Sequence, residues 1–133
     1  MDCRKALEEA DGDFDRAVAV LQEQGIARAA KKATRVTQEG IVEPYVHSGG
    51  KIGSLVKLSC ETDFVARTDE FKTLAHEVAM QVAATAPQSL DDLLEQPYIR
   101  DPSKTIKDLL VEVVAKLGEN IKVDSFARFE VGL

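Results

Sequence analysis

A chain of 133 residues is long enough for one compact domain, or for one domain with a small appendage, burying about two thirds of its unfolded surface. Its composition, 44% hydrophobic and 30% charged with a formal net charge of −6, argues against nucleic acid as the main partner, because phosphate binding needs a basic face. No run nears the roughly 20 apolar residues of a membrane span, no signal or transit segment is expected, and Cys3 and Cys60 lack any partner at zinc or disulfide spacing, so a reduced, cytosolic compartment is the expectation.

Residues 1–25 read as a helical hairpin. Asp2 is a fair cap, and Cys3, Ala6, Leu7 and Ala10 share one face. Asp11-Gly12 makes the turn. Asp13 caps a second helix with Phe14, Ala17, Val18 and Leu21 on its buried stripe, and Gly25 is expected to close it. Two short helices bury too little between them to stand alone, so a third is wanted. Residues 26–37 form a short alanine-rich basic helix carrying Arg28, Lys31, Lys32 and Arg35. A solvated linker face is preferred there over a phosphate or acidic partner.

From Gly40 the pattern becomes strand. Residues 41–47 and 51–60 flank Ser48-Gly49-Gly50, a glycine-rich hairpin turn. Pro44 cannot donate to a ladder, which puts the first strand at an edge or on a bulge. In the second strand Val56, Leu58 and Cys60 point one way at period two. Cys60 thus faces inward with no cation to activate it, and a buried, sluggish thiol is expected. A strand-to-helix corner follows, and Thr68 caps a helix whose first turn carries Asp69 and Glu70. Phe64 and Val65 lie where a solvated turn is expected. Either Phe64 plugs the core beneath the corner, or it is an exposed aromatic wedge with an acidic neighbour, aimed at a partner.

Phe71, Leu74, Ala75, Val78, Ala79 and Val82 recur at helical spacing and pack that helix on the hairpin; His76 falls off the stripe. Ala86-Pro87 ends it. Ser89 caps a short acidic helix over 90–95, and 98–102 reads as irregular. Ser103 is taken as the cap of the last helix, in which Ile106, Leu109, Leu110, Val113, Val114 and Leu117 form a stripe and Gly118 terminates. Residues 121–131 read as a half-buried strand with the odd positions Ile121, Val123, Ser125, Ala127, Phe129 and Val131 inward. The fold class is α+β: an incomplete helical N-terminal segment, then a small core with a three-stranded antiparallel sheet packed against helices. No phosphate-cradling loop and no Cys-His-acid trio has local support, so an enzyme is not expected, nor a cofactor or metal.

Cys60-Glu61-Thr62-Asp63-Phe64-Val65-Ala66-Arg67 resembles the signature of the elongation factor Ts family, guanine-nucleotide exchange factors of elongation factor Tu. Met1-Asp2-Cys3-Arg4-Lys5-Ala6-Leu7-Glu8 is similar to the family's second N-terminal helix. Ala29-Ala30-Lys31-Lys32-Ala33 resembles its basic linker helix, and Gly118-Glu119-Asn120-Ile121 the turn opening its late core strand. The resemblance implies a partial ubiquitin-associated-like module over 1–25, a helical linker over 26–37 and the α+β core over 38–133. It implies binding of elongation factor Tu through Thr62, Asp63, Phe64 and Val65, with Asp63 and Phe64 disturbing the magnesium and phosphate site so that GDP leaves.

Three features depart from the family's pattern. Its glycine-rich N-terminal loop has no counterpart, Val82 leads to Leu94 without the long helical hairpin many members carry, and Val123-Asp124-Ser125 stands where a basic pair is usual. A natural short form and a fragment both fit. A homodimer through the core is allowed, as in compact single-core members, and the bacterial-type cytoplasm is the expected location, or an organelle matrix if a transit segment was removed. The alternative function is a binding module that docks without promoting exchange.

Overall fold

The computed structural model describes Lys5, Glu8 and residues 14–132. The Asp2 cap, Cys3 and the Asp11-Gly12 turn lie outside the described residues. The first element described in full is α1, Phe14–Lys32. It overturns the expected stop at Gly25, because the helix runs straight through that residue into Ala27, Ala29 and Ala30. Alanine is the strongest helix former, and a single interior glycine costs only about 1 kcal/mol. Gly25 faces a later helix, where a Cβ would meet the Ala115 methyl at 3.6 Å, an ordinary packing contact. Lys31 and Lys32 fall in the last turn of α1, where cations complement the helix dipole. Of the expected apolar stripe Ala17 is buried, with Val20 and Leu21 against it, whereas Phe14 and Val18 are exposed.

The core is built on β1 (Glu39–Val46) and β2 (Ile52–Cys60), paired antiparallel from Glu39↔Cys60 to Val46↔Gly53. Gly49 and Gly50 take positive φ in the turn, which is closed by His47 N donating to the Ile52 carbonyl at 2.8 Å. Gly40 is fixed for a different reason: a side chain there would overlap the Leu58 carbonyl across the ladder. Pro44 sits on an edge strand, as its missing N–H requires. After β2 come the single turn α2 (Asp63–Ala66) and then α3 (Asp69–Thr85), whose cap is Thr68; the chain leaves α3 through Ala86 in the left-handed region. Next are α4 (Leu90–Glu95, capped by Ser89), the short β3 (Pro97–Tyr98) and β4 (Asp101–Thr105), α5 (Ile106–Leu117) and β5 (Ile121–Glu130).

The main sheet has the order β1-β2-β5, and α3 lies across its inner face. Phe71, Leu74, Ala75, Val78, Ala79 and Val82 meet Val56, Leu58 and Cys60 there, joined by Leu93, Ile106, Val114, Ile121 and Val123. The α+β class and the three-stranded antiparallel sheet packed against helices are thus as read from the sequence.

Three local expectations are corrected. The segment 98–102 is not irregular: β3 and β4 form a small two-stranded sheet. It is held to α3 by Gln81, fully buried, whose Nε2 donates to Gln96 Oε1 and the Pro97 carbonyl while its Oε1 accepts from Ile99 N at 3.0 Å. The cap of α5 is Thr105, not Ser103. Thr105 Oγ1 accepts from Asp108 N, and the Asp108 carboxylate accepts in return from Thr105 N, a reciprocal box. Ser103 instead donates to Asp101 Oδ1 through its hydroxyl and its N–H.

The third correction concerns β5. Lys57 pairs with Ser125 but Leu58 with Val123, so Asp124 is an extra, bulged residue. Side chains alternate at period two, and one inserted residue inverts every position beyond it. Ile121 and Val123 are buried as expected, but beyond the bulge Phe126 turns toward the core while Phe129 and Val131 are about three-quarters exposed.

Cys60 is fully buried, and its Sγ donates to the Thr62 carbonyl at 3.2 Å. Burial, then the Glu119 charge, pushes its pKa up from 9.0 to about 11. Thiol reagents should therefore label native Cys60 far more slowly than the same thiol in denaturant; equal rates would contradict its burial. The same shift bears on stability. A folded pKa above the unfolded one favours the neutral thiol in the native state, so this contribution is intact below pH 9 and drains as pH rises through about 11.

Candidate functional site

The corner between β2 and α3 is one helical turn pinned at both ends. Thr62 is its N-cap, with Oγ1 accepting from Val65 N at 3.3 Å. Thr68, six residues on, donates its hydroxyl to the Val65 carbonyl at 2.7 Å and accepts from Phe71 N at 3.2 Å. Inside the turn, residues i and i+4 share a face with i+1 beside it, while i+2 and i+3 turn away. Val65 and Ala66 accordingly enter the core, 5% and 2% exposed. Asp63, Phe64 and Arg67 face outward. The Phe64 ring is 77% exposed, which decides between the two readings of this residue: it does not plug the core. Asp63 Oδ2 pairs with Arg67 Nη2 at 3.0 Å, both side chains well exposed.

The four residues expected from the sequence to bind a partner therefore divide. Asp63 and Phe64 stand at the surface, Thr62 caps the turn, and Val65 is an anchor beneath it. Two segments distant in sequence complete the frame. The Glu119 carboxylate accepts from Glu61 N at 3.1 Å, Thr62 N at 3.0 Å and Thr62 Oγ1 at 2.7 Å. The Glu61 carboxylate answers by accepting from Asn120 N at 2.6 Å, and Arg35 Nη1 lies 3.6 Å from it. Asn120, buried, donates its amide to the Arg35 carbonyl at 2.8 Å, tying in the chain after α1. Sequence reading missed Glu61, Arg35, Glu119 and Asn120 as parts of the site, for their partners lie up to 87 residues away.

The two histidines take no part in the corner. His47 Nδ1 is 3.2 Å from the Tyr45 hydroxyl at the hairpin, and the exposed His76 ring meets the Tyr45 ring edge-on at 5.8 Å. Among the described residues, no group of three or more His, Cys, Asp and Glu is placed to hold a metal ion, and no helix is long and apolar enough to cross a membrane. What the corner offers is a preformed, solvated aromatic beside a carboxylate on a rigid base.

Comparison with known proteins gives the family of the chain. The family model described as Elongation factor TS matches residues 61–132, from the corner to just past β5. Elongation factor Ts of Carboxydothermus hydrogenoformans is 44% identical over 177 aligned residues, taking in 99% of this chain and 82% of that protein. The protein of the same name from a Thermoanaerobacter species is 46% identical, with 99% and 87% covered, and that of Heliobacterium modesticaldum 42%, with 99% and 82%. An alignment of 177 residues against a chain of 133 means that these relatives carry residues this chain lacks, which accords with a short form of the family.

Proposed function

The chain belongs to the elongation factor Ts family, and we propose that it is the guanine-nucleotide exchange factor of an elongation factor Tu, binding that GTPase and promoting release of GDP. The family gives it a role in translation elongation; the observation that supports the finer reading is Phe64, presented to solvent on a pinned turn with Asp63 beside it. Nucleotide affinity in a P-loop protein depends on an organised shell of backbone donors and a bound magnesium. A ring accommodated only when that shell is distorted lowers nucleotide affinity by its differential affinity for the two states, and by no more. Nothing covalent is made or broken, so the protein acts as an exchange factor and not as an enzyme. On this reading residues 1–25 belong to a partial ubiquitin-associated-like module, joined by the basic stretch of 26–37 to the exchange core of 38–133, and the bacterial-type cytoplasm is where it works. The test is release of a fluorescent GDP analogue from elongation factor Tu on adding the chain. Acceleration is expected; binding without acceleration would leave a passive docking module.

A homodimer through the core is part of the proposal, supported by the outer face of the main sheet. Val46, Leu55, Phe129 and Val131 expose apolar surface from all three strands, and a cleft of about 290 Å³ runs past Gly53 between Val46 and Phe129. An antiparallel sheet commonly has one solvated face, but that face is then polar. A second copy would cover it isologously. Phe129→Asp should turn a dimer into a monomer with an unchanged circular dichroism spectrum. Sedimentation of the wild-type chain as a monomer at tens of micromolar would end the idea.

A further inference from the structure

We propose that Glu119 is a positioning residue for the exchange corner, setting the angle at which Phe64 is presented by holding the residues before it. The inference rests on the exchange reading above and goes beyond it, because it assigns a role to a residue that follows the corner by more than fifty positions. The Glu119 carboxylate uses both oxygens on the two residues that launch α2: the N–H groups of Glu61 and Thr62 and the Thr62 hydroxyl. Hydrogen bonds to an ionised acceptor are the strong kind, and three of them on successive donors fix a backbone more tightly than one cap does. The Thr62 hydroxyl has its proton on Glu119 and so turns its lone pair to Val65 N, completing the cap. Phe64 sits inside that capped turn, so its direction follows from where Glu119 holds Thr62.

The clasp is mutual. Glu61 accepts from Asn120 N, which seats the turn bearing Glu119, and Asn120 in turn holds the carbonyl of Arg35. The corner, the start of β5 and the chain after α1 are thereby one unit. A wedge acts by differential affinity, and every degree of freedom it keeps must be lost when it inserts. A corner held in advance loses less.

The experiment measures GDP release from elongation factor Tu at saturating factor for the wild-type chain, Glu119→Ala, Glu119→Gln, Phe64→Ala and the Phe64→Ala pairings. Glu119→Ala is expected to slow release about tenfold, in keeping with the loss of charge-assisted bonds. Glu119→Gln should recover part of the rate and leave release slowed a few-fold, since its amide oxygen still accepts from both N–H groups but without the charge. The decisive arm is the pairing: if Glu119 acts through the corner, neither substitution slows release further once Phe64 is alanine. A role in folding alone would move the melting temperature and slow both backgrounds alike, and that result overturns the inference while leaving the exchange reading intact. Unchanged release in Phe64→Ala itself would remove the corner from the exchange mechanism, and the inference with it, whereas failure of the wild-type chain to accelerate release would remove the exchange reading. Should Glu119→Ala fail to fold, Glu119→Gln in the two backgrounds decides the question instead: slowing of a few-fold with Phe64 present and none without it supports the role, and any other pattern overturns it.

Discussion

Replacing Phe64 by alanine is expected to slow nucleotide release roughly thirtyfold while leaving the melting temperature within about 2 °C of wild type. The two numbers have different origins. A ring that is 77% exposed contributes little to folding, and surface substitutions stay within about 0.5 kcal/mol. A ring that is an anchor of an interface costs about 2 kcal/mol or more when truncated. Phe71 supplies the contrast. It is fully buried under the sheet, and Phe71→Ala should cost about 3–5 kcal/mol and lower the melting temperature by more than about 10 °C. Asp63→Ala should also slow release while sparing the fold, because the exposed i,i+4 pair with Arg67 is worth only about 0.3–0.5 kcal/mol.

Removing residues 121–133 is expected to abolish the cooperative thermal transition altogether. The central strand β2 has β1 on one side and β5 on the other, paired from Ile52↔Glu130 to Cys60↔Ile121. Without β5 that ladder edge opens to water, and Ile121, Val123 and Phe126 leave the core. Burial of each such side chain contributes about 1.5–3 kcal/mol, against a total stability of about 5–15 kcal/mol for a domain. The deletion also takes Arg128, which donates to the Ala83 carbonyl at 3.0 Å and so ties β5 to the end of α3. A truncated chain that melts cooperatively at an unchanged temperature would contradict the sheet order.

Most of this fold is written in short-range pattern, and its misreadings have identifiable causes. The α3 stripe was legible because six apolar residues at helical spacing leave one solution. Strand β5 was legible only as far as its bulge: a period-two reading carries parity forward, and nothing in Val123-Asp124-Ser125 announces the extra residue. Ser103 and Thr105 are both good caps by residue type, and what separates them is the partner three positions on, Ile106 against Asp108. Gly25 looks like a stop because glycine ends helices, yet the alanines beyond it and the packing of α1 on α5 outweigh its cost. The site divides the same way. That a corner lies at 61–67 followed from the strand before it and the cap after it, but no local pattern tells whether Phe64 turns in or out. The clasp formed by Glu61, Glu119 and Asn120 joins residues 57 to 59 positions apart, which only the assembled sheet brings together.

The most direct test of a corner that works by insertion is thermodynamic. An exchange factor acts only so far as it binds the nucleotide-free GTPase more tightly than the GDP-bound one, and the same factor must appear as a weakened grip on GDP. The measurement is the pair of dissociation constants of this chain for nucleotide-free and for GDP-loaded elongation factor Tu, taken for the wild type and for Phe64→Ala by calorimetry. The wild-type ratio should be large, and Phe64→Ala should reduce it roughly thirtyfold, chiefly by weakening the nucleotide-free complex. A ratio that Phe64→Ala leaves unchanged would show that the exposed ring is not what separates the two states.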